Sequence, residues 1–271
     1  MANNYYIEQS HIDILWHMGY KGKGIRVGVV DSGMRDKNHP SIKNKIVAGR
    51  NFSLDRRKKD DISSRCFHGE AVASLITEVA PNIELVVAKA LDNWGTGNPN
   101  TVAEAIRYCV NQGCDIINCS VATFDKPKLA EAVKWATDKG VIIVSATGND
   151  GKYTKLYPSS YEEVISVGAI DKDCNLAYFS NYNEYVDVVA LGVDLQVAIV
   201  DGGTIGASGT SFSAPLIAGT LALLKQKFIY DNKREPSRDE LYNIMIGYCK
   251  VLDNIEPEKQ GHGILDLRGI F

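Results

Sequence analysis

Short runs rich in Val and Ile alternate along this chain with longer segments in which apolar residues recur every three to four positions. The first pattern is typical of buried β-strands, and the second is typical of helices that bury one face. Strands that alternate with helices pack as a mostly parallel sheet covered by helices on both faces. The chain is therefore predicted to be an α/β protein with three layers.

The pattern places each predicted element within narrow limits. Strands are predicted over residues 25–30, 84–90, 115–120, 141–146, 164–169 and 186–190. Helices are predicted from His68 to just before Pro81, over 101–112 and 127–139, from Ser211 through the apolar run 216–224, and over 237–248. No linker-like stretch interrupts the 271 residues, so we expect a single domain spanning 1–271.

Composition excludes several classes of partner. The net charge is −3, and acidic and basic residues are interspersed, so neither nucleic acid nor an anionic membrane is a predicted partner. No apolar run reaches the length of a membrane span, and the N-terminus lacks a secretory pattern. We therefore expect a cytoplasmic protein.

The cysteines favour the same compartment. No two of them form a C-x-x-C pair, so neither a zinc site nor a redox motif is predicted. Six cysteines are enough for three disulfides, but a domain of this size does not need them, and we expect reduced, mostly buried thiols. Cys66, two residues before His68, is expected to lie near the active site and to react with thiol reagents.

Four residues capable of chemistry stand at the ends of predicted elements. Asp31 and Asn149 each follow a strand closely, and parallel sheets hold their sites at the carboxyl ends of strands. His68 opens one helix, and Ser211 precedes Pro215 at the start of another. A serine hydroxyl becomes a good nucleophile only beside a base, and a histidine can supply one.

These residues lie in motifs that resemble those of the subtilisin-like serine proteases, the subtilases of peptidase family S8. The motifs are Asp-Ser-Gly at 31–33, His-Gly at 68–69, Gly-Asn at 148–149 and Gly-Thr-Ser-x-Ser-Ala-Pro at 209–215. The opening segment 9–24 and the closing segment 261–266 also resemble the ends of a subtilase domain. The resemblance covers nearly the whole chain and implies a three-layer subtilisin-like fold acting on peptide or protein substrates.

The resemblance also implies the catalytic roles. Ser211 would attack the peptide carbonyl, His68 would accept and return the proton, and Asp31 would orient His68. The side-chain amide of Asn149 and the backbone N–H of Ser211 would bind the oxyanion.

Substrate binding is implied by a segment that matches the family's Ser-x-Gly-Gly. Its residues here are Ser120, Val121, Ala122 and Thr123. In the family this segment pairs with the substrate as a β-strand and walls the first specificity pocket. Ala122 and Thr123 replace both glycines, and Leu156 falls where the family often has a small or polar residue. We expect a narrowed pocket that favours a small or medium side chain.

Three other positions leave alternatives open. Asp150 at the pocket rim would instead attract a basic residue, and Trp94 either lines a subsite or packs under its own loop. The family's usual His-Gly-Thr-His-Val-Ala-Gly appears here as His-Gly-Glu-Ala-Val-Ala-Ser. Glu70 is most simply an acid at a helix N-terminus, or else it raises the pKa of His68.

No metal or cofactor is expected. The family's calcium-binding loop looks deleted, because the helix after His68 runs straight into Ala80 and Pro81. Ser41 also stands where an aspartate ligand is common. The melting temperature should therefore not depend on a chelator.

The resulting prediction is an intracellular serine endopeptidase. One alternative is a ligase or transacylase that passes the acyl group to an amine, although no insertion caps the cleft as in cyclising relatives. The other is a catalytically silent peptide-binding relative, against which the complete catalytic set argues. The sequence leaves open the physiological substrate, the oligomeric state and whether a prosegment exists.

Overall fold

A parallel sheet of seven strands lies at the centre of the molecule. The structure is a computed structural model that describes residues 4–55 and 58–270. In chain order the strands are β1 (Arg26–Asp31), β2 (Ile46–Asn51), β3 (Glu84–Lys89), β4 (Ile116–Cys119), β5 (Ile142–Ala146), β6 (Val164–Ile170) and β7 (Val186–Leu191). Across the sheet the order is β2-β3-β1-β4-β5-β6-β7, and every neighbouring pair is parallel.

Helices cover both faces of this sheet. They are α1 (Asn4–Ser10), α2 (Asp13–His17), α3 (His68–Val79), α4 (Pro99–Asn111), α5 (Pro127–Asp138), α6 (Thr210–Asn232), α7 (Arg238–Gly247) and α8 (Pro257–Gln260). Alternate strand residues point to opposite faces: Val29 joins the core beneath α3 and α6, whereas Val30 joins the core beneath α4 and α5. The predicted three-layer arrangement is confirmed.

Two antiparallel pairs complete the strands that the structure describes. They are the hairpin of β8 (Leu195–Ala198) with β9 (Thr204–Ala207), and the short pair of β10 (Cys249–Lys250) with β11 (Ile264–Leu265). The six strands predicted from the sequence are present with ends shifted by at most one residue, but β2 and the two pairs were not predicted. β2 is an edge strand in which only Asn51 is buried, so it lacks the continuous apolar run of the others.

The strand order determines where a site can form. The chain leaves β1 for β2 and β3 on one side and then crosses to β4–β7 on the other. Parallel sheets of this kind hold their ligands at the carboxyl ends of the strands where the order reverses. That point lies between β1 and β4, where Asp31 ends one of the two neighbouring strands and Ser120 directly follows the other.

The two longest helices on one face bring two further site residues together. α3 and α6 pack closely where Gly219 of α6 meets Val79 of α3. Gly219 has no side chain, and a Cβ there would lie only 2.7 Å from Cβ of Val79. At the N-terminal ends of the two helices, the rings of His68 and Phe212 lie 5.5 Å apart. The helices therefore run side by side with both N-termini at the carboxyl edge of the sheet. Within the described residues, α6 included, no helix has the length and apolarity needed to cross a membrane.

Candidate active site

Asp31 and His68 form a hydrogen-bonded pair at the end of β1. Asp31 is 1% exposed, and Nδ1 of His68 lies 2.9 Å from each of its carboxylate oxygens. The backbone N–H of Ser32 also donates to Oδ1 of Asp31, at 2.6 Å. Because a carboxylate only accepts hydrogen bonds, the pair holds the proton on Nδ1 and leaves Nε2 of His68 free to accept another.

The same pair changes the pKa of His68. Burial of the ring opposes its protonation, but the charge of Asp31 and the hydrogen bond to it outweigh that effect, so the pKa of His68 is raised. A base must be unprotonated to act, so His68 loses the capacity to accept a proton as the pH falls through this raised pKa. The stabilisation that the pair gives to the fold has the opposite dependence: it is present at low pH and disappears as the pH rises through the raised pKa.

The first turn of α3 approaches the loop after β1 unusually closely. Oγ of Ser32 accepts the backbone N–H of Gly69 at 3.1 Å. A Cβ on Gly69 would lie 2.4 Å from the carbonyl oxygen of Gly33 and 3.2 Å from Cβ of Asp31. The absence of a side chain at Gly69 therefore allows His68 to reach Asp31.

Ser211 begins the buried helix α6 after a turn that favours glycine. Gly209, just before the helix, has a φ of 153°. Oγ of Ser211 donates to the carbonyl oxygen of Ser120 at 3.4 Å, and Oγ of Ser120 donates to the carbonyl oxygen of Ser211 at 2.7 Å. Within the described part of the chain, no hydrogen bond joins His68 to Oγ of Ser211. Such bonds are often loose in ligand-free sites and tighten once substrate is bound.

The side-chain amide of Asn149 is held in one orientation by Thr210. The backbone N–H and the hydroxyl of Thr210 donate to Oδ1 of Asn149 at 2.9 and 3.0 Å. A backbone N–H can only donate, so the oxygen of the amide must face Thr210 and its NH₂ group must point away. The hydroxyl of Thr210 in turn accepts the N–H of Gly148 at 3.1 Å. Thr210 lies inside the serine motif at 209–215, but the sequence did not indicate its contact with Asn149.

A cleft of about 330 Å³ opens beside His68. The predicted substrate-binding residues that line it are Trp94, Ser120, Val121, Ala122 and Thr123. Trp94 is 80% exposed, so the alternative that it packs under its own loop is wrong. Cys66 lines the same cleft, as expected from its spacing to His68. All six cysteines lie in the described residues, and all are free thiols.

Leu156 and Asp150 lie outside the lining of this cleft. Thr123 and Tyr157 exchange backbone hydrogen bonds of 2.9 and 3.0 Å, which places Leu156 next to the segment 120–123. Cδ1 of Leu156 lies 2.7 Å from where a Cβ on Gly148 would be, so Leu156 packs against the backbone beside Asn149. The exposed Asp150 accepts a hydrogen bond from Nδ2 of Asn181 at 3.2 Å.

Glu70 differs from the expectation of a simple acid at a helix terminus. Its side chain is fully buried and accepts a hydrogen bond from the backbone N–H of Asp36. The group that raises the pKa of His68 is Asp31 rather than Glu70. In the part of the chain that the structure describes, no group of three or more His, Cys, Asp or Glu side chains is arranged to hold a metal ion.

The arrangement is typical of a serine hydrolase site. It combines a buried Asp–His pair, a serine at a helix start and an oriented amide at the carboxyl edge of a parallel sheet. The family model described as the subtilase family matches residues 22–263. The chain belongs to the subtilase family, and it is a serine-type endopeptidase.

Two similar proteins match over most of their length. The intracellular serine protease of Paenibacillus polymyxa is 36% identical, with 97% of this chain and 85% of the relative covered. The major intracellular serine protease of Bacillus subtilis (strain 168) is 36% identical, covering 93% of this chain and 84% of that protein. A thermophilic serine proteinase of Bacillus sp. (strain AK1) is 35% identical over 80% of this chain and 56% of its own length.

Proposed function

We propose that this subtilase cleaves peptide bonds through an acyl-enzyme on Ser211, with His68 as general base and Asp31 as its orienting partner. The observation that carries the proposal is the hydrogen bond of 2.9 Å between Nδ1 of His68 and the buried carboxylate of Asp31. It supplies the tautomer and the raised basicity that proton transfer from a serine hydroxyl requires.

The first half of the reaction uses residues at two helix starts. Oγ of Ser211 attacks the carbonyl carbon while Nε2 of His68 takes the hydroxyl proton. Negative charge then develops on the carbonyl oxygen, and the NH₂ group of Asn149 and the N–H of Ser211 donate to it. The imidazolium of His68, stabilised by Asp31, returns its proton to the leaving amine, and the acyl-enzyme remains.

Water completes the cycle by the reverse sequence. His68 removes a proton from the attacking water, the oxyanion forms again at the same donors, and the proton returns to Oγ of Ser211 as the product carboxylate leaves. An amine that replaced water at this step would give ligation instead of hydrolysis. The two reactions differ only in the acceptor, so their products distinguish them.

The proposed substrate preference is a small or medium side chain before the cleaved bond. Leu156 packs beside the Gly148 backbone, and Ala122 and Thr123 add side chains to the substrate-pairing segment. These three residues take up volume where the family leaves room. Asp150 is less favoured as the attractor of a basic side chain, because its carboxylate already has Asn181 as a partner.

We also propose that the protein acts inside the cell, in the cytoplasm. Two relatives that are similar over most of this chain are named as intracellular serine proteases. Six free thiols suit a reducing compartment.

A fluorophosphonate probe tests the catalytic assignment directly, because it reacts only with an activated serine. The purified protein, Ser211→Ala and the control Ser213→Ala are labelled, and the adduct is located by peptide mass mapping. Ser213 lies on the same helix, and its hydroxyl donates to the carbonyl of Ala190 at 3.2 Å, so its loss should leave labelling intact. We expect an adduct on Ser211 that is absent from Ser211→Ala.

Folded protein that gives no adduct on Ser211 would overturn the proposal and favour a silent relative. Mass spectrometry of a peptide substrate incubated with excess amine then distinguishes the acceptors, and the hydrolysed product is expected to dominate.

A further inference from the structure

Glu70 is a buried carboxyl next to the catalytic pair that the mechanism above does not use. It lies two residues after His68 in the first turn of α3, and its relative exposure is 0%. Burying a carboxyl group is costly unless it is hydrogen-bonded. A carboxyl group buried this completely therefore needs hydrogen-bond partners inside the protein.

One oxygen of Glu70 has a partner in the loop that follows Asp31. Oε2 accepts the backbone N–H of Asp36. Oε1 has no hydrogen-bond partner among the described residues. Burial raises the pKa of Glu70, and backbone hydrogen bonds from Asp36 and Arg35 together with the charge of His39 oppose that rise. The side chain thus faces the backbone amides of the loop after Asp31, and no ion pair joins it to another described side chain.

The segment that Glu70 holds is continuous with Asp31. Its own turn is closed by the N–H of His39, which donates to the carbonyl of Asp36 at 3.1 Å. Closer to β1, the Ser32–Gly69 hydrogen bond already joins this loop to α3. The Glu70–Asp36 hydrogen bond is a second connection between the same loop and the same helix turn, so the strand end carrying Asp31 and the helix carrying His68 are held together at two points.

We propose that Glu70 is a positioning residue for the Asp31–His68 pair, fixing the loop after Asp31 against the first turn of α3. This inference rests on the proposed function, because it assigns Glu70 a part in aligning that catalytic pair. Misplacement of a catalytic group by about 1 Å lowers the rate on the order of 100-fold, so losing a contact this near the pair should strongly reduce kcat.

The variants separate the acceptor from the volume of the side chain. Glu70→Gln keeps an acceptor oxygen for the Asp36 N–H, whereas Glu70→Met has a similar length and no acceptor. Glu70→Thr, the residue usual in the family at this position, is a second variant that is too short to span the same contact. Ser74→Ala is the matched control: Ser74 is also buried on α3, and its Oγ accepts the N–H of Ala198 at 3.1 Å, away from Asp31.

Each variant is measured for kcat, KM, melting temperature and the acid limb of the kcat/KM profile. We expect Glu70→Met and Glu70→Thr to lower kcat about 10- to 100-fold with little change in KM. Their acid limb should move to lower pH, because a misaligned Asp31 no longer raises the pKa of His68 as far. Glu70→Gln should stay close to the wild type, and Ser74→Ala should lower the melting temperature without moving kcat or the acid limb.

An unchanged kcat and acid limb in folded Glu70→Met or Glu70→Thr would overturn the inference. It would equally fail if Ser74→Ala, at a similar loss of melting temperature, reduced kcat as much. Failure of the proposed function gives a different result, since the wild type itself would then carry no fluorophosphonate adduct on Ser211.

Discussion

The amide of Asn149 has a single orientation because two donors of Thr210 surround its oxygen. The backbone N–H and hydroxyl of Thr210 lie 2.9 and 3.0 Å from Oδ1. Thr210 is itself fully buried at the start of α6, so the residue before Ser211, the proposed nucleophile, orients the side chain that we propose faces the oxyanion. A donor fixed before the reaction needs no reorganisation when charge develops, and this is the source of its effect on rate.

Replacing this amide should slow turnover and leave binding almost intact. We expect Asn149→Ala to lower kcat on the order of 100- to 1000-fold, a magnitude carried over from the loss of one such donor in subtilisin. KM should change little, because the donor acts on charge that is present only in the transition state. Steady-state kinetics on a peptide substrate measures both. Lys152→Ala, at an exposed residue nearby, serves as the control, and an unchanged kcat in Asn149→Ala would remove Asn149 from the oxyanion site.

At the level of elements, the proposed specificity pocket lies at two loops that pair with each other. Thr123 and Tyr157 exchange backbone hydrogen bonds, so the segment 120–123, which lines the cleft, is held next to Leu156, which lies outside that lining. Leu156 also packs on the turn at Gly148, next to Asn149, the proposed oxyanion donor. The size of the side chain at 156 therefore determines how much space remains between the two loops.

Shortening this side chain should widen the pocket. Leu156→Gly is expected to raise kcat/KM for substrates with Phe or Tyr before the cleaved bond by on the order of 10-fold relative to Ala. Profiling with a peptide library measures the preference. Val251→Gly, at an exposed residue beside the β10–β11 pair, is the control for the general effect of an introduced glycine. A wild-type profile already dominated by large aromatic residues would contradict the narrowed pocket.

Across the whole molecule, the sheet order and the α3–α6 pair together create the site. β1 supplies Asp31, α3 supplies His68 and α6 supplies Ser211, and these elements are far apart in the sequence. At the opposite end of α3, the helix passes directly into Ala80 and Pro81, and Nζ of Lys45 donates to the carbonyl of Pro81. A side-chain ammonium thus binds the backbone just past the C-terminal end of this helix.

The fold should consequently need no bound calcium. We expect the melting temperature in excess chelator to match that in millimolar calcium within about 2 °C, because a site filled at 100 times its Kd would add about 2.7 kcal/mol and several degrees. Thermal unfolding followed by circular dichroism measures the difference. A relative with a known calcium requirement, treated in parallel, verifies that the chelator is effective. A drop of many degrees in this protein would show that it binds calcium.

Local sequence patterns were enough to predict the layers of this protein and the residue types of its site. Buried strands and amphipathic helices are local patterns, so β1 and α3 were predictable within a residue or two, and the motifs around Asp31, His68, Asn149 and Ser211 followed. The half-exposed edge strand β2 was not predictable, because neighbouring strands rather than its own pattern create it.

The orientation of the side chains at the site depends instead on how distant elements pack against each other. The sequence suggests that Glu70 is an acid at a helix N-terminus, and the structure shows that it is buried against the loop at Asp36. The sequence places Thr210 in the serine motif without a role, whereas the structure shows that its backbone N–H and hydroxyl both donate to Oδ1 of Asn149. These hydrogen bonds join residues that are 34 and 61 positions apart in the chain. They form only because two elements pack together, and a local sequence pattern does not specify how distant elements pack.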